Sequence, residues 1–261
     1  MILVTGATGH VGAEVVRLLA EAGTPARALI HSPDKAAPIQ RLGLEVALGD
    51  FEQPDTLDAA MAGCAQLFLL SPPSPRQPEQ EQQVIDAAKR AGVAHVVKQS
   101  APGAGLVFAR WHAQIEQYLA KSGLPHTLLR PNYFMQNFLM SAQPVAEQGV
   151  LYGITGEGRV SYIDTRDIAA VAAQVLTSTG HQGKAYTLTG PEALSGDEVA
   201  ERLAAATGRE VGSVDVPADA FGQALVGAGL PGWLVERLIE LNVMMAAGHA
   251  AGVTDEVATL I

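Results

Sequence analysis

A single cysteine, Cys64, stands in a chain of 261 residues. One thiol excludes an intrachain disulfide framework and leaves no cysteine-based metal site, and no metal is expected. Cys64 reads instead as a small buried hydrophobe at the entrance to a strand. Cations are also scarce: 17 Lys and Arg face 27 Asp and Glu, for a formal net charge of −10. Neutralising a nucleic-acid backbone needs clustered Lys and Arg, and the few present are dispersed, so nucleic acid is not an expected partner. Charged residues amount to only 17% and hydrophobic ones to 48%, the balance of a packed globular chain rather than a disordered one. No apolar run approaches the ~18 residues of a membrane span, and no basic stretch precedes an apolar one at the start. The expected setting is cytoplasmic, with no membrane partner.

What the sequence does hold is GATGHVG, Gly6 to Gly12, between the apolar run Ile2-Leu3-Val4 and the amphipathic stretch 13–19. Glycines placed between a buried strand and a helix carry far more information than glycines alone. Without a Cβ, Gly6 can make the tight strand-to-helix turn, Gly9 lets a ligand approach the backbone, and Gly12 lets the helix press on the sheet. The expected phosphate cradle is Gly6, Thr8, Gly9, His10, Val11 and Gly12, where first-turn amides and the positive end of the helix dipole favour an anion. A purely structural turn is the alternative.

Short apolar runs then alternate with amphipathic helical lengths: strands at 2–5, 26–30, 44–48, 66–70, 93–98 and 125–129, helices at 10–22, 34–42, 54–62, 78–91 and 110–122. This is the α/β pattern of a doubly wound parallel sheet, with helices on both faces and a ligand crevice beyond the carboxyl ends of the strands. Residues 1–130 form the nucleotide-binding body. Residues 131–261 form a smaller α+β substrate-binding part, interleaved with it.

The strand ends carry the candidate contacts. After the second strand no acidic residue stands where an NAD site holds the ribose 2′-OH; His31 and Lys35 offer donors and charge to a 2′-phosphate instead. NADP(H) is therefore the preferred cofactor, with NAD(H) also usable. Asp50 can accept from an adenine amino group with Phe51 bordering it, or cap a short turn. Leu70, Ser71 and Pro72 leave a rigid extended path along a ligand, and Ser100 brings a hydroxyl to the same edge. Pro131 breaks the sixth strand and hands the chain to an aromatic-rich helix containing Asn132, Tyr133 and Phe134, either an apolar wall for a flat acceptor or core packing between the two parts.

Farther on, Asp164 or Thr165 caps a helix, and Ser195 with Glu198 forms a capping box opening helix 195–207. Residues 211–216 read as a strand. Helices at about 217–228 and 231–248 carry Leu234, Leu238, Leu241, Met244 and Met245 at core spacing.

Blocks over nearly the whole chain carry a resemblance: MILVTGATGHVG at the start, LGD at 48–50, HVVKQSA at 95–101, RWHAQIEQYLAKSGLPHTLLRPNYFMQN at 110–137, YIDTRDIAAVAA at 162–173 and AYTLTGPEALS at 185–195. Together they resemble the NmrA-like branch of the atypical short-chain dehydrogenase/reductase superfamily, above all its NADPH-dependent quinone, azo-dye and triphenylmethane reductases. The resemblance implies a Rossmann-like fold and hydride transfer from the nicotinamide C4 to an apolar, electron-poor acceptor. That acceptor is a small aromatic or conjugated substrate such as a quinone, an azo compound or a conjugated carbonyl. It further implies that Ser71 and Pro72 border the nicotinamide and that Pro131 to Phe134 cover it, in a monomer or homodimer. Redox-sensing regulators share the domain, so a nucleotide-sensing protein without turnover is the alternative.

Two departures bear on chemistry. Where typical short-chain dehydrogenases carry Tyr-x-x-x-Lys, this chain has His112 and Glu116, which i, i+4 spacing puts on one helical face. A neighbouring carboxylate favours the imidazolium, so His112 is the expected proton donor, Glu116 its partner and Tyr133 the third catalytic candidate; a surface ion pair is the other reading. Relatives also carry arginine at the position of His31, which implies weaker, pH-dependent 2′-phosphate recognition. The connection 101–109 is shorter than in relatives, and similar proteins continue past Ile261 into a Gly-Arg-x-Pro tail.

Overall fold

Strands that are apolar on both faces must be covered on both faces, and the computed structural model, described over residues 1–103 and 107–261, shows that arrangement. Strands β1 (Ile2–Val4), β2 (Ala26–Ile30), β3 (Glu45–Leu48), β4 (Gln66–Leu69), β5 (His95–Gln99) and β6 (His126–Pro131) come in the expected order, followed by β7 (Val150–Gly153), β8 (Ala185–Leu188) and β9 (Gly212–Asp215). The helices are α1 (His10–Glu21), α2 (Ala36–Arg41), α3 (Pro54–Met61), α4 (Gln77–Arg90), α5 (Val107–Ser122), α6 (Ala142–Gln148), α7 (Thr165–Thr177), α8 (Gly196–Thr207), α9 (Ala218–Gly227), α10 (Gly232–Ala246) and α11 (Glu256–Leu260). The main sheet has seven strands in the order β3-β2-β1-β4-β5-β6-β8, all parallel. The order in which successive strands are added to the sheet reverses between β1 and β4, the switch point where a crevice opens.

Alternate side chains divide between two cores. Val4, Ala28, Ile30, Phe68, Val97 and Leu129 meet α1 and α7 on one face, while Leu3, Leu29, Leu67, Leu69 and Val96 meet α3, α4 and α5 on the other. Cys64 is buried in the second core, as expected, and its burial raises the thiol pKa. A third, smaller cluster holds the C-terminal lobe around Leu151, Val160, Tyr162, Val199 and Met245, with Leu241 against it. There β7 and β9 pair as a separate two-stranded sheet.

Three expectations need correction. Pro131 does not break the sixth strand: it is its last residue, opposite Leu188, a position where a missing N–H costs the ladder little. No α-helix follows directly, because Tyr133 and Met135 exchange backbone hydrogen bonds with Ile163 at 2.9 Å each. Only then does a 3₁₀ turn run over Met135–Ser141. Residues 34–42 likewise split into a 3₁₀ turn, Pro33–Lys35, and the short α2. The compact 101–109 connection falls in part on 104–106, outside the described residues. The caps at Asp164 and Ser195 form as expected.

Strand β8 returns to the main sheet from within the second half, so body and lobe are sewn together. The Asn132 amide donates to Ser161 Oγ at 2.7 Å and to the Ala250 carbonyl at 2.9 Å, and its own carbonyl accepts from the Tyr133 amide. Ser161 Oγ donates to Gly252 O at 2.6 Å, and Thr254 Oγ1 to Thr187 O at 2.5 Å. Asn132→Ala should therefore lower unfolding stability by about 1–3 kcal/mol, the cost of orphaned half-buried partners, as measured by urea denaturation. A change below about 0.5 kcal/mol, ordinary for a surface site, would show that this junction holds without it.

Candidate active site

The crevice begins at a backbone collision avoided. A Cβ at Gly12 would lie 2.1 Å from the Gly6 carbonyl oxygen, so the first turn of α1 rests directly on the turn that precedes it. Gly6 has φ +61° and would place a Cβ 2.9 Å from the Leu70 side chain. Gly9 differs: its nearest neighbour would be Gly6 O at 3.5 Å, an ordinary contact, so nothing in the protein requires glycine there. Thr8, Gly9 and His10 are exposed, and no side chain caps α1. The result is an uncapped helix N-terminus with free amides and open space before it, the arrangement that suits a pyrophosphate. Thr5, which sequence reasoning passed over, clamps this corner: its hydroxyl donates to Leu70 O at 2.8 Å and accepts the Leu70 amide at 2.8 Å, joining β1 to the end of β4 at the switch point.

The remaining expected contacts reach the same edge, but most of their side chains have protein partners. Asp50 Oδ1 accepts the Glu52 amide at 2.8 Å, so it does cap a turn, while Oδ2 lies 3.8 Å from His31 Nδ1. The Phe51 ring packs against the α3–α5 core. Lys35 is exposed, 3.8 Å from Asp34. Ser71 Oγ turns inward to Glu81 at 2.6 Å and accepts from Gln77 at 3.1 Å, within a buried cluster where the Lys98 ammonium lies 2.9 Å from Glu81 Oε2 and also donates to the Gln99 carbonyl. Pro72 is exposed beside it. Tyr133, half-buried, meets Tyr162 edge-on at 5.9 Å, and burial raises the pKa of both phenols, that of Tyr162 to about 12. Phe134 packs against the α1–α7 core.

The expected His112–Glu116 couple is not what the fold makes of these residues. Glu116 accepts from Arg130 at 2.7 and 3.0 Å and from Ser100 Oγ at 2.6 Å. Burial opposes its charge, but those hydrogen bonds prevail and hold its pKa below the usual carboxylate range. His112 receives no such support: burial first, then the Lys98 charge, push its pKa down to about 3. It is a neutral imidazole near neutral pH, not an imidazolium. Its Nδ1 is buried without a partner among the described residues, as is Gln99 Oε1.

A cavity of about 750 Å³ opens in the C-terminal lobe between the 3₁₀ turn, α6 and α8, lined largely by apolar groups including Phe138, Val145, Tyr162 and Leu203. None of the expected nucleotide contacts lines it. Among the described residues no helix is long and apolar enough to cross a membrane, and no group of His, Cys, Asp and Glu suits a metal.

Set beside known proteins, residues 1–259 match the NmrA-like family. An NAD(P)H azoreductase of Xenophilus azovorans is 44% identical over 98% of this chain and 91% of its own length. The NADPH complex of an NADPH-dependent quinone oxidoreductase from Escherichia coli superposes with a TM-score of 0.91 at 31% identity, covering 100% of this chain and 94% of that one. The NADP(H) complex of a triphenylmethane reductase from Citrobacter sp. gives 0.91 at 28% identity, covering 100% and 95%.

Two outcomes follow from this geometry. Gly9→Asp should leave the melting temperature near wild type yet abolish NADPH binding in a fluorescence titration, because its carboxylate would face the pyrophosphate; Gly12→Ala should damage folding itself. Nucleotide affinity like wild type in the Gly9 variant would contradict the cradle. For His112, the unfolded chain takes up a proton near pH 6.5 that the native state takes up only near pH 3, so stability falls as pH drops through that window. His112→Asn should flatten the decline of melting temperature with acid, and an unchanged slope would put the ring in solvent.

Proposed function

The chain belongs to the NmrA-like family, and from that premise we infer that it is an NAD(P)H-dependent oxidoreductase acting on a small, apolar, electron-poor acceptor. The observation that carries this reading is the uncapped start of α1 with open space at Gly9, set at the switch point of the sheet. Reduced nicotinamide nucleotide bound there supplies a hydride from C4. Residues 8 to 12 cradle its pyrophosphate, chiefly through the first-turn amides of α1. His31 and Lys35 meet the 2′-phosphate, so NADP(H) is preferred; the Asp50 carboxylate beside His31 tempers that preference and keeps NAD(H) usable. Asp50 and Phe51 border the adenine, and Leu70, Ser71, Pro72 and Ser100 flank the nicotinamide chiefly through backbone, with Pro131, Asn132, Tyr133 and Phe134 covering it.

His112 serves the reacting pair as a neutral hydrogen-bonding group, and Glu116 holds Ser100 and Arg130 in place. Tyr133 keeps its phenolic proton and can donate a hydrogen bond to a developing oxyanion. An acceptor whose reduced form is a stable anion, as a hydroquinone is, collects its proton from water. We place the protein in the cytoplasm, as a monomer or homodimer, with quinones, azo compounds and conjugated carbonyls as its substrate classes.

Oxidation of NADPH and NADH against a quinone, an azo dye and an enone tests the reading. Turnover with NADPH should exceed that with NADH, and Lys35→Ala should reduce the ratio about tenfold, the weight of one charge-assisted contact. Micromolar NADPH binding with no turnover on any acceptor would replace the reductase by a nucleotide sensor.

A further inference from the structure

The cavity of about 750 Å³ in the C-terminal lobe has no part in the nucleotide reading, since none of the residues assigned to that ligand lines it. Its volume is that of a small-molecule pocket, roughly 300–1,000 Å³. Phe138 and Tyr162 form an aromatic wall, their ring centroids 4.9 Å apart at 55°, while Val145 on α6 and Leu203 on α8 line it from the helices. Exposed Met135 and Leu139 continue the apolar lining out to solvent. Water in such a hollow finds few hydrogen-bond partners, so an apolar body displaces it favourably.

Three charged side chains also line the cavity: Glu192, Arg202 and Arg209. Two of them cancel, because Arg202 Nη1 and Nη2 lie 2.7 and 2.8 Å from the two carboxylate oxygens of Glu192. Arg209 is the charge left over. Among the described residues it forms no ion pair, and the one hydrogen bond of its side chain runs from Nη1 to the Ala146 carbonyl at 3.1 Å. That bond ties the guanidinium, just past the end of α8, to α6 across the cavity. The backbone there is fixed too, since the Gly212 amide donates to Gly149 O at 2.8 Å. Arg209 is exposed, so its other N–H groups remain open to a ligand, and an anionic oxygen is the strongest acceptor for them.

We propose that this lobe cavity is a second small-molecule site, separate from the nucleotide crevice, and that it binds an aromatic organic anion, with rings against Phe138 and Tyr162 and one carboxylate or sulfonate group at Arg209. Binding there is noncovalent. The site goes beyond the reductase reading and stands whether or not an acceptor is reduced.

The probe is anilinonaphthalene sulfonate, whose emission rises in apolar surroundings, titrated against the full chain at saturating NADP⁺. Its uncharged counterpart, phenylnaphthylamine, is titrated in parallel. Both should bind saturably and one-to-one. Arg209→Gln should weaken the sulfonate by about tenfold, the weight of one charge-assisted contact, and leave the amine within twofold of wild type. Leu203→Trp should fill the cavity and abolish binding of both. If that variant melts early, Leu139→Asp takes its place: Leu139 is 65% exposed, so the fold tolerates the change, and the new carboxylate should repel the sulfonate at least tenfold more than the amine. An Arg209→Gln effect that is absent, or equal for the two probes, overturns the anion assignment. Wild-type affinity in the cavity variant takes the probe out of the lobe, and displacement by NADP⁺ puts it in the nucleotide crevice; either result overturns the second site. So does a wild-type chain that binds neither probe saturably.

Discussion

Backbone-to-backbone contact between the first turn of α1 and the Gly6 carbonyl fixes more of this molecule than any side-chain interaction. At 2.1 Å from where a Cβ would stand, that oxygen leaves α1 one position, with its start directed past the sheet edge. Thr5 closes the same corner from below by tying β1 to Leu70. Once the helix is there, its opposite flank meets α7, and α7 can only be reached through the second half of the chain. Placement of the uncapped start of α1 and interleaving of the two halves are thus consequences of one close approach.

Around that approach the fold gives its polar side chains to itself. Ser71, Ser100, Glu116, Asn132 and one oxygen of Asp50 all have protein partners, while the start of α1 stays uncapped and His31 and Lys35 stay exposed. An acidic protein can hold an anionic cofactor on these terms, because helix amides carry no formal charge to be cancelled by a net −10. The same economy explains His112. With Glu116 drawn to Arg130 and Lys98 buried nearby, the imidazole has reasons to stay neutral and none to charge. Chemistry here relies on a hydride donor that does the difficult step itself, so positioning matters more than proton supply.

Local signals were the legible ones. GATGHVG, the Ser195–Glu198 box and the alternation of strands and helices depend on residues a few positions apart, and each formed. Signals that need the fold were not legible. The i, i+4 rule correctly puts His112 and Glu116 on neighbouring turns but cannot know that Arg130, on the adjacent strand, reaches Glu116 at 2.7 Å. Pro131 looked like a breaker because sequence does not say that it ends its strand. Strand β7 and the short helix α6, with Pro144 in its first turn, carry too few periodic residues to announce themselves. Nothing in the sequence brings Trp111 to Trp233 until both the sheet and the lobe exist.

The stitching of the two halves has a consequence for how the lobe presents α10 to α5. Between β6 and β8 the chain leaves the main sheet, builds part of the lobe and returns; after β8 it leaves again through α8 to α10 and comes back at residues 250–254. The first return is fixed by the pairing of β8 with β6, the second by side chains bonded to backbone: Asn132 and Ser161 at 250 and 252, and Thr254 at 187. A lobe anchored at both ends of its chain cannot swing as a hinged domain does without breaking those bonds, since hinge motion requires a few unencumbered connecting residues. Trp233 and Arg237 are thereby held at a set distance from Trp111, and whatever the crevice binds meets a lobe already assembled before the ligand arrives.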